Sequence, residues 1–234
     1  MSRPRVLITL NGHEARGRLR HSVGDRHLRA LLGAGLLPVP VAGTLPADAL
    51  AELTENCSAA YLPGTDYVPS RGGESDAESR AGARVAGLAW DPQKVRADFA
   101  VIALAWERGL PLLGICGGMQ AMVVSAGGTL RPGTDAEVAR HAERAAAEPA
   151  TLAAGTLAAR VLEGGAEPNS FHRQVVDRLS APLLASVRAA DGVVEAVEAP
   201  ADAHPFWLGL QWHPELLGDQ RPFSALARVA GRRR

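Results

Sequence analysis

Short, fully apolar runs that alternate with longer segments of helical periodicity are the feature that most limits how this chain can fold. The apolar runs lie at residues 5–10, 37–41, 59–62 and 110–115, and the helical patterns lie at residues 25–32, 46–54, 95–107 and 118–126. Strands that are apolar on both faces need helices on both sides of their sheet, and strand–helix alternation produces parallel strands. The sequence therefore predicts an α/β fold, with a mostly parallel sheet flanked by helices, in a single domain spanning residues 1–234.

The second half of the chain has shorter apolar runs. They predict strands at residues 158–162, 184–188, 193–198 and 206–212, followed by a final helix at residues 223–229. Asp191 and Gly192 lie between two of these strands and are typical of a hairpin turn. Residues 69–87 are rich in glycine, serine and charge and predict a long loop, either a lid or a disordered segment. Residues 135–149 predict an exposed helix.

Composition indicates which kinds of partner the chain is expected to bind and in which cellular compartment it is expected to fold. Basic and acidic residues balance at 25 each, so no overall field favours a nucleic acid or an anionic membrane. No apolar run approaches the roughly 18 residues that a membrane span needs. The two cysteines, Cys57 and Cys116, stand in different contexts, so a disulfide is not expected and a reducing compartment, the cytoplasm, is favoured.

One apolar run leads straight into a glycine-rich turn and then into a helical pattern, at residues 112–120. Gly114, Cys116 and Gly118 reproduce the small-x-nucleophile-x-small arrangement of a nucleophile elbow. Such a turn places the thiol at a helix N-terminus, where the helix dipole favours the thiolate. Most free cysteines are small buried hydrophobic residues, and Cys57 fits that description. The glycines on both sides of Cys116 instead indicate a nucleophile.

A thiol nucleophile needs a proton acceptor, and that acceptor needs a third group to orient it. His213 ends the apolar run at residues 206–212 and precedes Pro214 and Glu215. A residue before proline favours an extended conformation, and alternate residues of an extended chain point to the same side. Glu215 is therefore expected to bind one imidazole nitrogen of His213 while the other nitrogen faces Cys116.

The segments GICGGMQ at residues 114–120 and QWHPE at residues 211–215 resemble those of the class I glutamine-amidotransferase superfamily. Further segments, YLPG at residues 61–64, NSFHRQ at residues 169–174 and DGVVEA at residues 191–196, resemble more narrowly the γ-glutamyl-γ-aminobutyrate hydrolases and γ-glutamyl hydrolases. The resemblance runs from the first strand to Glu215. It implies the flavodoxin-like fold of that superfamily, built around the nucleophile elbow.

The resemblance also implies a mechanism. Cys116 would attack the γ-carbonyl of a glutamyl amide, with His213 as base, Glu215 as its partner, and backbone N–H groups of Gly64 and Gly117 around the oxyanion. The residues implied to hold the α-amino and α-carboxylate groups of the substrate are Gln120, Asn169, Ser170, Phe171 and His172. No metal and no organic cofactor is implied, nor any nucleic-acid or membrane partner; a homodimer is compatible with the sequence.

Five positions depart from the family pattern. Gly117 stands where these hydrolases usually carry arginine, and His27 where they often carry tyrosine. Lys94, Val95 and Asp98 occupy the positions of a family signature with arginine, aspartate and glutamate. None of these belongs to the predicted triad, so the differences concern the identity of the leaving amine.

Three functions remain open at this point. The first is a free-standing hydrolase of γ-glutamyl-amine conjugates that releases glutamate and an amine. The second is a glutaminase subunit that supplies ammonia to a synthase partner, which the Gly117–Gly118 pair also resembles. The third is a non-catalytic binding or regulatory protein; the intact cysteine, histidine and glutamate argue against it.

Overall fold

A computed structural model describes residues 2–141 and 149–232 of the chain. Its strands are β1 (Arg5–Thr9), β2 (Asn11–Ala15), β3 (Arg18–Ser22), β4 (Leu37–Val41), β5 (Ala59–Leu62), β6 (Leu112–Ile115), β7 (Thr129–Pro132), β8 (Thr151–Leu152), β9 (Gln174–Arg178), β10 (Leu184–Arg188), β11 (Val194–Glu198) and β12 (Trp207–Leu210). Eight of them form one sheet in the order β4-β1-β5-β6-β12-β11-β10-β8, while β2 pairs with β3 and β7 pairs with β9. The first five strands of the sheet are parallel to one another, and the last three extend it in antiparallel fashion. The predicted mostly parallel sheet is confirmed.

Helices cover both faces of this sheet. They are α1 (Asp25–Gly33), α2 (Ala47–Glu55), α3 (Asp76–Ala86), α4 (Pro92–Glu107), α5 (Gly117–Ser125), α6 (Asp135–His141), α7 (Leu157–Val161), α8 (Pro214–Leu217) and α9 (Arg221–Ala230). Residues of α1, α7 and α9 pack into the core on one face, and residues of α2, α4 and α5 into the core on the other. None of the helices in the described part of the chain combines the length and apolarity needed to cross a bilayer.

The two cores follow from the alternation of side chains along each strand. In β1, Val6 and Ile8 face the core that contains α1, while Leu7 faces the core that contains α4. In β6, Leu113 and Ile115 face the core that contains α1, and Leu112 faces the core that contains α4. Because successive side chains of a strand point to opposite faces, a sheet covered on both sides needs apolar residues at every position. This requirement explains why the strands appear in the sequence as unbroken apolar runs.

The register of the parallel strands brings three loops to one edge of the sheet. Leu62 of β5 pairs with Gly114 of β6, and Leu210 of β12 pairs with Ile115. The chain therefore leaves these three neighbouring strands at the same edge, where parallel sheets usually carry their sites.

Two predicted elements are wrong. Residues 158–162 form most of helix α7 rather than a strand, because a short apolar run fits either period and Thr156 caps the helix by accepting from the N–H of Ala159. Residues 69–87 are not one long loop, since α3 occupies much of this stretch. Ser75 and Glu78 form a capping box at its start, a pattern that favours a helix despite the polar composition.

Other differences concern polar segments. The β2–β3 hairpin was not predicted, because its strands are largely exposed and lack an apolar pattern. The predicted helix at residues 135–149 is present as α6, residues 142–148 lie outside the described residues, and His141 is buried rather than exposed. The turn at Asp191 and Gly192 does join β10 and β11 as predicted, with Gly192 at φ 89°.

Candidate active site

Cys116 lies in the sharp turn between β6 and α5. Its backbone has φ 51° and ψ −110°, a conformation that is uncommon outside glycine and that recurs at functional sites. An added Cβ at Gly118 would overlap the carbonyl oxygen of Leu62, and one at Gly114 would lie 2.6 Å from Sδ of Met122. Glycine is therefore required on both sides, and the predicted nucleophile elbow is confirmed.

His213 follows β12, and the short helix α8 begins at the next residue. Nδ1 of His213 lies 2.6 Å from Oε1 of Glu215, in hydrogen-bond contact. The expected extended chain is replaced by a helical turn, because proline is favoured at the first helical position. Glu215 reaches the imidazole from the first turn of α8, so the predicted pairing is present through a different backbone.

The loops that carry Cys116 and His213 meet at Gly64. A Cβ added to Gly64 would lie 3.3 Å from Cβ of Cys116 and 3.3 Å from Cε1 of His213. Burial alone would lower the pKa of His213, but the charge and hydrogen bond of Cys116, together with Glu215, raise that pKa to about 10. The raised pKa favours the imidazolium, which is hydrogen-bonded to the Glu215 carboxylate and lies beside Cys116 in the same cleft.

His27 joins this group from α1. Its Nδ1 lies 2.6 Å from the Tyr61 hydroxyl and its Nε2 lies 3.7 Å from Oε1 of Glu215. Burial lowers the pKa of His27, and the charges of His213 and Lys94 lower it further against the opposing effect of Glu215. A neutral His27 can therefore sit beside the protonated His213. The sequence marked His27 only as a departure from the family and gave it no role.

A cleft of about 300 Å³ opens over these groups, a volume at the lower end for small-molecule sites. Its wall includes the reacting groups and, opposite them, the segment before β9. Its lining includes Gly64, Cys116, Gln120, Phe171, His172, Arg173 and His213.

Gln120 lies on α5 below the thiol and is almost completely buried. Its Nε2 donates to the carbonyl of Gln174 (3.0 Å) and to Oε1 of Gln211 (3.1 Å). Nε2 of Gln211 in turn lies 3.6 Å from Sγ of Cys116. The two amides thus connect the nucleophile to the far wall of the cleft. Gln211 was missed in the sequence, although its position two residues before His213 in an extended segment was a usable signal.

Asn169 and Phe171 approach His213 from the far wall. The Asn169 side chain accepts from the N–H of His213 (2.8 Å) and donates to the His213 carbonyl (3.2 Å). The ring of Phe171 meets the His213 ring edge to face at 6.0 Å and is partly exposed. Asn169 therefore holds the backbone of the predicted base, while Phe171 covers its side chain.

Ser170 and His172 contact a buried cluster behind this wall. Oγ of Ser170 lies 2.7 Å from Nδ1 of His141 and 3.2 Å from Nε2 of His172. His141, His172 and Glu195 are the group among the described residues with metal-ligand atoms that all lie within 4.8 Å of one another. Direct substrate contact by Ser170 and His172 stays a prediction.

The predicted oxyanion residues lie on either side of the thiol. Gly117 begins α5 directly after Cys116, and Gly64 follows β5. Nδ2 of Asn11 donates to the Gly64 carbonyl (3.3 Å), and Nζ of Lys94 donates to the Pro63 carbonyl (3.4 Å). The loop after β5 is therefore fixed by two side chains. Its role around an oxyanion stays a prediction.

Comparison with known proteins places this site in a family. The sequence profile of Peptidase C26 matches residues 7–215. This chain belongs to the Peptidase C26 family. A γ-glutamyl-γ-aminobutyrate hydrolase of Escherichia coli is 30% identical over 231 residues, which cover 92% of this chain and 87% of that protein. A putative glutamine amidotransferase of Mycobacterium tuberculosis is 37% identical over 139 residues, covering 57% of this chain and 44% of that protein.

Solved structures agree on the fold. The glutaminase domain of Trypanosoma brucei CTPS with bound acivicin superimposes with a TM-score of 0.67 at 15% identity, covering 99% of this chain and 95% of that one. A putative GMP synthase subunit from Thermoplasma acidophilum gives a TM-score of 0.65 at 14% identity, covering 98% and 95%. The predicted amidotransferase-like fold and family are thereby confirmed. Together with the relatives, they support a hydrolase or glutamine amidotransferase-like role for this C26 protein.

The departure at Gly117 has a steric explanation in this C26 protein. A Cβ added to Gly117 would lie 2.5 Å from the carbonyl oxygen and 2.6 Å from the nitrogen of Thr65. These are backbone atoms, so an arginine at position 117 would require the loop after β5 to move away from the thiol. The close approach of the Thr65 backbone therefore requires glycine at position 117.

Proposed function

We propose that this chain is a cysteine hydrolase that cleaves the γ-glutamyl amide bond of a γ-glutamyl-amine conjugate and releases glutamate and an amine. The observation that carries the proposal is the meeting of Cys116, at a strained elbow, with His213 at Gly64 in one cleft, where Glu215 holds the imidazole. Membership of the C26 family and the similarity to a γ-glutamyl-γ-aminobutyrate hydrolase support the same substrate class.

In the first half of the reaction, the Cys116 sulfur attacks the γ-carbonyl carbon of the glutamyl group. The oxyanion forms between the backbone N–H groups of Gly64 and Gly117, and each such donor contributes about 3–4 kcal/mol. His213, protonated at neutral pH, gives its proton to the departing nitrogen. The carbon–nitrogen bond breaks, and the glutamyl group remains as a thioester on Cys116.

In the second half, a water molecule replaces the amine in the cleft. His213, now neutral, takes a proton from this water as it attacks the thioester carbonyl. The same two N–H groups stabilise the second oxyanion. Collapse of this intermediate releases glutamate and restores the Cys116–His213 pair. Glu215 keeps the imidazole oriented throughout.

The substrate's glutamyl end lies against the far wall of the cleft in this proposal. Gln120, Phe171 and His172 line that space, which supports contact of Gln120 and Phe171 with the glutamyl end. Both ring nitrogens of His172 already have partners in Ser170 and the Gln174 carbonyl, so His172 shapes this wall rather than binding the charged groups. Asn169 and Ser170 lie one step further back, and their contacts to His213 and His172 support an influence through these residues.

A panel of γ-glutamyl amides tests the proposal, with glutamine, γ-glutamyl-γ-aminobutyrate and γ-glutamyl polyamines as substrates and released glutamate as the readout. Cys116→Ala is expected to reduce turnover by at least about a thousandfold. Cys57→Ala is the matched control, because Cys57 is the other free cysteine and burial raises its pKa to about 11. Equal turnover by wild type and Cys116→Ala would overturn the proposal.

The second candidate is a glutaminase subunit that supplies ammonia to a synthase. It is favoured by the glycine at position 117 and by the putative glutamine amidotransferases among the relatives. It predicts weak, Cys116-dependent hydrolysis of glutamine alone, silence on the conjugates, and stimulation by a partner protein. Binding of these compounds without any turnover would instead support a binding or regulatory protein.

A further inference from the structure

The buried cluster behind the far wall of the cleft has the geometry of a metal site. Oε1 of Glu195 lies 3.4 Å from Nδ1 of His141 and 3.7 Å from Nε2 of His172. Four-coordinate zinc with ligand bonds of about 2.0–2.1 Å holds its ligand atoms about 3.3 Å apart. Nδ1 of His141 and Nε2 of His172 lie within 4.8 Å of one another, so small side-chain rotations bring all three atoms to the spacing of ligands of one ion. Oγ of Ser170 is in hydrogen-bond contact with both inner nitrogens, at 2.7 and 3.2 Å, and the hydroxyl turns aside when an ion takes these lone pairs.

The outer nitrogen of each histidine is already held by an acceptor. Nε2 of His141 lies 3.0 Å from a carboxylate oxygen of Asp191, and Nδ1 of His172 lies 3.1 Å from the carbonyl oxygen of Gln174. Each acceptor requires an N–H, so in the neutral rings the lone pairs lie on the inner nitrogens. A carboxylate or carbonyl behind a histidine is the arrangement that orients metal-binding imidazoles in proteins.

Among the described residues, the centre of the cluster has more acceptors than protons. The inner nitrogens of His141 and His172 meet the Glu195 carboxylate there, while the Ser170 hydroxyl supplies one proton. Oε2 of Glu195 is buried and has no hydrogen-bond partner among the described residues. A buried carboxylate without donors is costly. An additional proton on one imidazole would satisfy some of these acceptors, whereas a cation contacts all three ligands.

We propose that His141, His172 and Glu195 bind a divalent transition-metal ion, for which zinc is the best match. Two imidazoles and one carboxylate suit zinc and its neighbours, while calcium and magnesium prefer oxygen ligands. The two positive charges of the ion balance the carboxylates of Glu195 and Asp191. Because the ligands are buried, the ion has a structural role and takes no part in the proposed thiol chemistry.

The position of the ion gives it a specific structural effect. It joins the end of α6, the segment before β9, and β11, which carry His141, His172 and Glu195 respectively. Asn169, which holds the backbone of His213, lies three residues before His172. The ion therefore fixes the wall that supports the predicted base. This structural role of the ion is the same whether the substrate is a γ-glutamyl conjugate or glutamine.

The test is titration of the tag-free full chain, stripped of metal, with Co²⁺ followed by its visible d–d bands and then with Zn²⁺ in competition. One Co²⁺ per chain with a four-coordinate spectrum is expected, displaced by Zn²⁺. Glu195→Gln preserves side-chain volume, and His141→Gln removes an imidazole; each is expected to weaken binding by more than about a hundredfold. Asp191→Asn should weaken it about 10–100-fold.

His13→Gln is the matched control, because His13 is an exposed histidine on β2, outside the cluster. Its binding is expected to equal that of wild type. Circular dichroism of every variant separates loss of ligand from loss of fold, and the Asp191→Asn variant, which leaves all three ligands in place, guards against misfolding of the ligand variants. Absence of Co²⁺ and Zn²⁺ uptake by the folded wild type would overturn the proposal. Equal uptake by wild type and by folded Glu195→Gln would do so too.

Discussion

The charge state of His213 is decided by a competition among a few contacts. Burial acts against the imidazolium and is the largest single influence, yet Cys116 and Glu215 together outweigh it. His27 is also buried but has weaker partners, so burial determines its neutral state. Two histidines on the same carboxylate thus reach opposite charge states because Cys116 raises the pKa of His213, while burial is the largest influence on His27.

Replacing Glu215 should change the pH profile in a defined direction. With a pKa of about 10, His213 keeps its proton through neutral pH, and kcat/KM falls on the alkaline side as that proton is lost. Glu215→Gln removes a negative charge that raises this pKa, so the alkaline limb should move to lower pH and kcat should fall. Glu52→Gln, at an exposed position of α2, serves as the control. An alkaline limb that stays in place in Glu215→Gln would contradict this account.

The elbow glycines should tolerate no methyl group. In Gly118→Ala the new Cβ would overlap the backbone carbonyl of Leu62, which cannot rotate away, so a loss of about 1–3 kcal/mol in unfolding free energy and a lower kcat are expected. At Gly72 the nearest atom to an added Cβ is 3.9 Å away. Gly72→Ala should therefore stay within about 0.5 kcal/mol of wild type. Urea denaturation of both variants is the measurement, and similar losses in both would be the contrary result.

At the scale of secondary-structure elements, α4 connects the core to the loop after β5. Lys94 and Asp98 of α4 are completely buried and form an ion pair, with Asp98 also accepting from the Thr9 hydroxyl (2.7 Å). Burial raises the pKa of Asp98, and Lys94 and Thr9 oppose that rise. Because Lys94 also donates to the Pro63 carbonyl, the pair links the helix to the predicted oxyanion loop.

Breaking this pair on one side should cost more than removing it. Lys94→Met leaves Asp98 buried without its cation, and such changes typically cost about 3–5 kcal/mol of unfolding free energy. The double variant Lys94→Met/Asp98→Leu removes both charges and should regain most of this loss. Urea denaturation of the single and double variants measures the difference. A double variant less stable than Lys94→Met would contradict the explanation that the unpaired, buried Asp98 carboxylate causes the loss.

At the scale of the whole molecule, the sequence determined the parts that rest on unbroken apolar runs. The parallel strands, the elbow at Cys116 and the helices on both faces were predicted because burial on both faces leaves a continuous apolar signal. Polar elements such as α3 and the β2–β3 hairpin were missed because their stability comes from caps and local pairing. The contacts of His27 with Tyr61 and Glu215, and the cluster around His141, were not predicted because they join segments distant in sequence.

The segment before β9 meets the loop after β12 where Asn169 holds the backbone of His213 by two hydrogen bonds. If Asn169 positions the base, Asn169→Ala should lower kcat about 10–100-fold, as other misplacements of reacting groups do, and should leave KM nearly unchanged. Direct binding of the glutamyl group by Asn169 would instead mean that KM rises in the variant.

The alkylation rate of Cys116 by iodoacetamide gives a second readout that needs no substrate, and it should change in Asn169→Ala if the base shifts. Asn56→Ala is the matched control, because Asn56 is exposed and bonds to the preceding residues of α2. Unaltered kcat and alkylation rate in Asn169→Ala, with a raised KM, would assign Asn169 to the substrate rather than to His213.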